Sequence, residues 1–129
     1  MKRTLLVPVD FTPVTHNGLH YACELSKVFP SEIVAVHLLE KSLITDLEEQ
    51  SSGNVAMRKM VERLYNEIMA KTTSDLNNFV SDLKAEYGDI IQPVIQHGSI
   101  YEAFNDVAAQ YESSLIVMGT HGITGMQHV

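Results

Sequence analysis

Apolar positions along this chain follow two rhythms that take turns. Leu5-Leu6-Val7-Pro8-Val9 is a short, unbroken apolar run, and Ile33-Val34-Ala35-Val36-His37-Leu38 is a second. Ile90-Ile91-Gln92-Pro93-Val94-Ile95 and Leu115-Ile116-Val117-Met118 follow. Runs of this length without strict alternation suit strands covered on both faces. Pro93 has no amide hydrogen to give to a ladder, which predicts that the third strand lies at an edge.

Between these runs the spacing becomes helical. Thr12 is placed to cap a helix with Pro13 at its first position, where the missing N–H costs nothing. Leu19, Ala22, Leu25 and Phe29 then recur on one side, with Gly18 and Ser26 allowing close approach to a sheet, until Pro30 ends the pattern. Residues 41–54 are expected to be a loop, mobile or a lid, since they are long for a compact domain. A helical pattern covers Val55 to Tyr87, with stripes at Met57, Val61, Leu64 and Ile68 and at Leu76, Phe79 and Leu83. As one rod it spans roughly 50 Å at 1.5 Å per residue. Either one end overhangs or the helix bends near Thr72-Thr73-Ser74-Asp75; continuity with a bend is the favoured expectation. Gly88 closes it. Ser99-Ile100-Tyr101-Glu102 is a capping box, and Ile100, Ala103, Phe104 and Val107 form the buried face of the last helix.

Alternating strands and helices predict an α/β fold: a doubly wound open parallel sheet with helices on both faces and right-handed crossovers. With the third strand at an edge, the strand order is 3-2-1-4. Winding then reverses between strands 1 and 4, and ligands of such sheets bind beyond the strand C-termini at that switch point. Two distinctive turns meet there, Asp10-Phe11-Thr12 and Gly119-Thr120-His121-Gly122. A strand opening into a glycine-spaced turn offers backbone N–H groups to an anion.

Composition narrows the function. The 129 residues suit one domain, and a net charge of −7 without a basic stripe disfavours nucleic acid and anionic membranes. Lys2-Arg3 before Leu5-Leu6-Val7 imitates a signal peptide only faintly, because Pro8 and Asp10 interrupt it, and no apolar run is long enough to span a bilayer. Lone Cys23 excludes an internal disulfide and suits a reducing compartment, so a cytoplasmic location is expected. No Gly-x-x-x-x-Gly-Lys loop, Gly-x-Gly-x-x-Gly fingerprint or Cys-x-x-Cys is present, which argues against hydrolase and redox classes. The third strand ends in Gln96-His97-Gly98, not in the clustered acids of a phosphoacceptor domain.

Plainer readings stand beside each candidate. Asp10 can cap the first helix or brace its loop, and Gly119 and Gly122 can be turn glycines. His16 and His20, at i and i+4, resemble a metal pair without a third ligand, so a solvated pair is expected and no metal site. His37, His97 and His121 lie near strand ends, where each touches phosphate or only packs its loop. Met57, Met60 and Met69 are expected to fill a core or interface, and Cys23 to be a buried inert thiol.

Val7-Pro8-Val9-Asp10-Phe11-Thr12 resembles the opening of universal stress proteins. Ala35-Val36-His37-Leu38-Leu39-Glu40 resembles their second strand, Gly98-Ser99 their turn into the third helix, and Leu115 through Gly122 their most diagnostic stretch. The resemblance runs over the whole chain. It implies a stress-response domain that binds ATP, alone or with Mg, is commonly a dimer, and has no strong enzymatic activity and no catalytic residues, at most slow ATP hydrolysis. It further implies that the Asp10 carboxylate and Leu38 backbone contact adenine. Met118 would line base and ribose, Gly119 would allow close approach of the sugar, and Gly122 would offer its N–H to phosphate. Thr12 could add a hydroxyl donor to the same anion.

The family's nucleotide motif continues with Gly-Ser or Gly-Thr, which would fall just past Val129, as would a fifth strand. The expectation is a single domain over 1–129 lacking its last strand, a homodimer or one half of a tandem protein. A nucleotide-independent dimerisation or interaction module of the same fold is the alternative.

Overall fold

The computed structural model describes residues 3–39, 46, 48–50, 53–110 and 114–118. Strand β1 (Arg3–Pro8) leads to helix α1 (Pro13–Val28), strand β2 (Ser31–Leu39), helix α2 (Val55–Tyr87), strand β3 (Ile91–His97), helix α3 (Ile100–Gln110) and strand β4 (Ser114–Ile116). The four strands form one sheet in the order β3-β2-β1-β4, all parallel. That is the doubly wound α/β arrangement the apolar runs predict, with Pro93 on an edge strand as its missing donor requires.

Each helix begins where its sequence supplies a cap. The Thr12 hydroxyl accepts from the Thr15 N–H at 3.3 Å, with Pro13 following. The Asn54 side chain accepts from Met57 N–H at 3.0 Å, and the Ser99 hydroxyl from Glu102 N–H at 3.2 Å. Gly88, at φ 87°, ends α2 in a conformation that a side chain would strain.

Two cores form because the strands bury both faces. On one, Leu5, Val7, Ile33, Ala35 and Ile91 pack with Leu19, Ala22 and Cys23 of α1 and Leu76, Val80 and Leu83 of α2. On the other, Leu6, Val34 and Val36 pack with Val107, Phe104 and Ala108 of α3. Burial pushes the Cys23 thiol up to about 11, with Glu86 adding to it, so the thiol stays protonated, as an inert core residue should.

Three details depart from the pattern. Phe29 is exposed, because α1 ends at Val28 and the extended backbone at Phe29 takes its ring off the apolar stripe. Within 41–54, Asp46 and Glu48-Glu49-Gln50 are helical, in line with the helix propensity of Glu and Gln. Helix α2 is continuous over 33 residues, and its buried residues all lie in its C-terminal half. Val55, Met57, Met60 and Leu64 are exposed, so the N-terminal end overhangs the core.

Candidate functional site

The end of β1 is where, among the described residues, the ladders on both sides stop. Even-numbered residues of β1 turn their N–H and C=O toward β4, as the 2.8 Å bond from Val117 N–H to the Leu6 carbonyl shows. In that register, Leu6 opposite Ile116, the next rung would run from the N–H of residue 8 to the Val117 carbonyl. Residue 8 is proline and has no N–H, so β1 offers that carbonyl no donor. Among the described residues pairing ends one step short of Met118, which is exposed.

On the β2 side, Val9 N–H donates to the Val36 carbonyl at 2.9 Å. The next rung of a parallel ladder would be Leu38 N–H to the Val9 carbonyl. Instead His37 Nδ1 lies 2.8 Å from that carbonyl, and because a carbonyl can only accept, Nδ1 carries the hydrogen. Among the described residues Leu38 makes no bond to β1. Its backbone N–H and C=O face the gap that β1 leaves, while its side chain packs with the α3-side core.

Asp10 sits at the mouth of this gap, and its carboxylate is fixed through one oxygen. Oδ1 accepts from Thr12 N–H at 3.1 Å, from the Thr12 hydroxyl in a short bond, and from the Thr15 hydroxyl at 3.0 Å. The loop-bracing role is therefore present, an Asx turn with two hydroxyls added. Among the described residues Oδ2 has no partner. The Thr12 hydroxyl spends its hydrogen on Asp10, so donating it to a bound anion would first require releasing the carboxylate. His37, expected to touch phosphate or only to pack its loop, packs against Val9 and Phe11, whereas Thr15 was not singled out by the sequence. Thr15 was detectable in principle, as a hydroxyl one helical turn after a candidate cap.

These bonds favour the ionised carboxylate. The Thr12 hydroxyl, the largest influence, holds Asp10 below its ordinary value of 3.8 against the opposing effect of burial, aided by Thr12 N–H and the Thr15 hydroxyl. The folded value lies below the unfolded one, so this stabilisation is complete above about pH 4 and lost as pH falls through the folded value. Wild type is expected to melt above Asp10→Asn at pH 7, and the gap to narrow on acidification below that point. Thermal melts across the acid range check it.

The other described histidines each have a neighbouring partner. His16 pairs with Asp82 at 3.0 Å and His20 with Glu86 at 3.8 Å, joining α1 to α2, and no metal cluster occurs among the described residues. The His97 Nε2 is 2.8 Å from the Tyr65 hydroxyl. Gly119, His121 and Gly122 lie outside the described residues; of the expected binding residues the strand register places Leu38 and Met118 at the C-terminal ends of β2 and β4, on either side of β1, which leads into Asp10 and Thr12. Among the described residues no helix is long and apolar enough to cross a membrane.

Comparison with known proteins places the fold. Universal stress protein MJ0577 of Methanocaldococcus jannaschii is 24% identical over 100% of this chain and 83% of its own length. MJ0531 of the same organism is 22% identical over 98% of this chain and 69% of its own. The solved structure of MJ0577 superposes with a TM-score of 0.67 at 20% identity, covering 100% of this chain and 82% of that one. Universal stress protein UspA from Lactobacillus plantarum gives 0.64 at 16% identity, covering 90% and 75%. Those superpositions establish the shared fold. The model of the universal stress protein family matches residues 1–129, and the chain belongs to that family.

Proposed function

We propose that this stress-response domain binds ATP or a related adenine nucleotide in the crevice between the ends of β1 and β4. The observation that carries the reading is the Asp10 carboxylate, ionised and held by one oxygen, at the end of β1 where, among the described residues, its other oxygen and backbone groups of β2 and β4 have no partner. An acceptor-only carboxylate suits the exocyclic amino group of adenine. Leu38 N–H and C=O supply the donor and acceptor that a base edge needs, and Met118 supplies apolar contact for base and ribose.

In this reading the phosphates, with or without Mg, fall to Gly119 and Gly122, whose turn continues β4. Residues 1–129 act as one domain in the cytoplasm, without a strong enzymatic activity. Calorimetric titration of the protein with ATP tests the proposal. Saturable heat is expected, and none at millimolar ATP would remove it.

A second reading has its own support. Strand β4 is an edge of the described sheet, and Leu115 and Ile116 on it are 49% and 46% exposed. An open apolar edge invites another strand, so the domain acts by dimerisation or by docking a tandem neighbour. Sedimentation alongside the titration separates the two: a concentration-dependent mass without nucleotide heat favours the interaction module.

A further inference from the structure

Phe11 is the one non-glycine residue with positive φ among the described residues, at 68°. A bulky side chain in the left-handed region needs surroundings that hold it there. Its ring lies 4.5 Å from the His37 ring at 34°, and 5.6 Å from Phe79 of α2, edge-on at 81°. His37 thus touches the chain on both sides of Asp10, by its Nδ1–H at the Val9 carbonyl and by its ring at Phe11.

We propose that His37 is a positioning residue that opens the nucleotide crevice: its Nδ1–H takes the Val9 carbonyl in place of Leu38 N–H, and its ring holds Phe11 in the left-handed turn that presents Asp10. The nucleotide half of this inference rests on the function proposed above; the ladder half does not. A strand pair left to itself would continue, with Leu38 N–H bonding Val9 and the chain staying extended through residue 11. The imidazole substitutes a side-chain donor for a backbone one at the last rung. The substitution keeps the carbonyl satisfied, as a partly buried acceptor requires. It also releases the Leu38 backbone toward the gap and lets β1 turn away at once, so that the Asp10 carboxylate meets Thr12 and Thr15.

Amide hydrogen exchange on the folded protein distinguishes this from ordinary packing. In wild type the Leu38 amide is expected to exchange quickly although neighbouring β2 amides are protected. In His37→Ala the rung closes and the Leu38 amide becomes slower to exchange, whereas simple loss of packing would make it faster. His37→Asn, whose side-chain N–H can reach the same carbonyl, restores fast exchange; His37→Phe, which keeps a ring but no donor, does not. If His37→Ala fails to fold, the Asn and Phe variants carry the comparison.

A Leu38 amide already protected in wild type, or one not slowed in the donorless variants, would overturn the proposal. ATP titration of the same proteins is expected to show affinity about tenfold weaker in His37→Ala, recovering at least in part in His37→Asn. Wild-type protein that binds no ATP sinks the nucleotide reading while the exchange result still decides the role of His37. Unchanged affinity in His37→Ala, with wild type binding, refutes the crevice-opening role.

Discussion

Truncating Leu76 to alanine is expected to destabilise the domain by about 3 kcal/mol, while Leu64→Ala, on the same helix, changes stability by less than about 0.5 kcal/mol. Both leucines lie on apolar stripes of α2, so helix propensity and side-chain size are matched. Their surroundings are not. Leu76 is 2% exposed, within the core that Leu19, Ile33 and Val80 share; Leu64 is 42% exposed. Removing three carbons from a closed core loses their transfer free energy and leaves a cavity that neighbours fill only partly. Removing them from an overhang forfeits far less burial, because a large share of the Leu64 side chain is already in water and no closed cavity is left behind. Urea unfolding of the two variants beside wild type reads the difference as a shift in midpoint at constant slope. Equal losses at both sites would mean that the N-terminal half of α2 is covered in solution by something that the isolated fold does not supply.

The geometry of α2 explains why its two halves differ. Strand β2, 9 residues long, spans about 30 Å at 3.3 Å per residue, against about 50 Å for the helix. The helix runs from beyond the C-terminal end of β2 back to the start of β3, so the excess projects past the strand C-termini. Tyr65, which meets His97 at the end of β3, marks where the overhang begins. It projects from the same end of the sheet as the crevice, beyond the strand C-termini.

Much of this was legible in the residues, and the parts that were not share a cause. Unbroken apolar runs and Pro93 settle parallel strands and their order, because a proline without a donor and strands without a polar face leave few arrangements. Thr12-Pro13 and the Ser99 capping box mark helix starts through local chemistry alone. The stripe Met57, Val61, Leu64, Ile68 has the same spacing as Leu76, Phe79, Leu83, and spacing records only that a face is apolar, not whether another element reaches it. Phe29 was misplaced for a related reason, since its position on the stripe counted for nothing once the helix stopped.

The candidate site divides the same way. Asp10 and Thr12 were legible as a carboxylate and a cap at a strand end. What could not be read is the competition for the Val9 carbonyl, because it depends on a side chain from another strand, distant in sequence. Pro8 was visible as a proline in an apolar run, but its effect on the Val117 carbonyl requires the register between β1 and β4. Backbone groups left unpaired by such pairings are a property of two strands together.

Replacing Asp10 is expected to remove discrimination between adenine and guanine nucleotides as well as most affinity. An ionised carboxylate only accepts hydrogen bonds. Opposite adenine it meets the exocyclic amino donor, and opposite guanine it meets a carbonyl oxygen that repels it. A bond to a charged partner contributes roughly 1.5–3 kcal/mol, so Asp10→Ala should weaken ATP binding by about 10- to 100-fold. GTP, which never had the bond, should weaken little, bringing the two affinities together. Asp10→Asn goes further, since its amide can offer a hydrogen to the guanine carbonyl and should shift preference toward GTP. Thr12→Ala is the control for position: it removes one of the three donors to Oδ1 but leaves the charge, so ATP should weaken by less than in Asp10→Ala while the preference over GTP survives. Paired ATP and GTP titrations of the four proteins measure all of this. Retained preference for ATP in Asp10→Ala would place the base elsewhere, with the Asp10 carboxylate then serving only to brace the loop between β1 and α1.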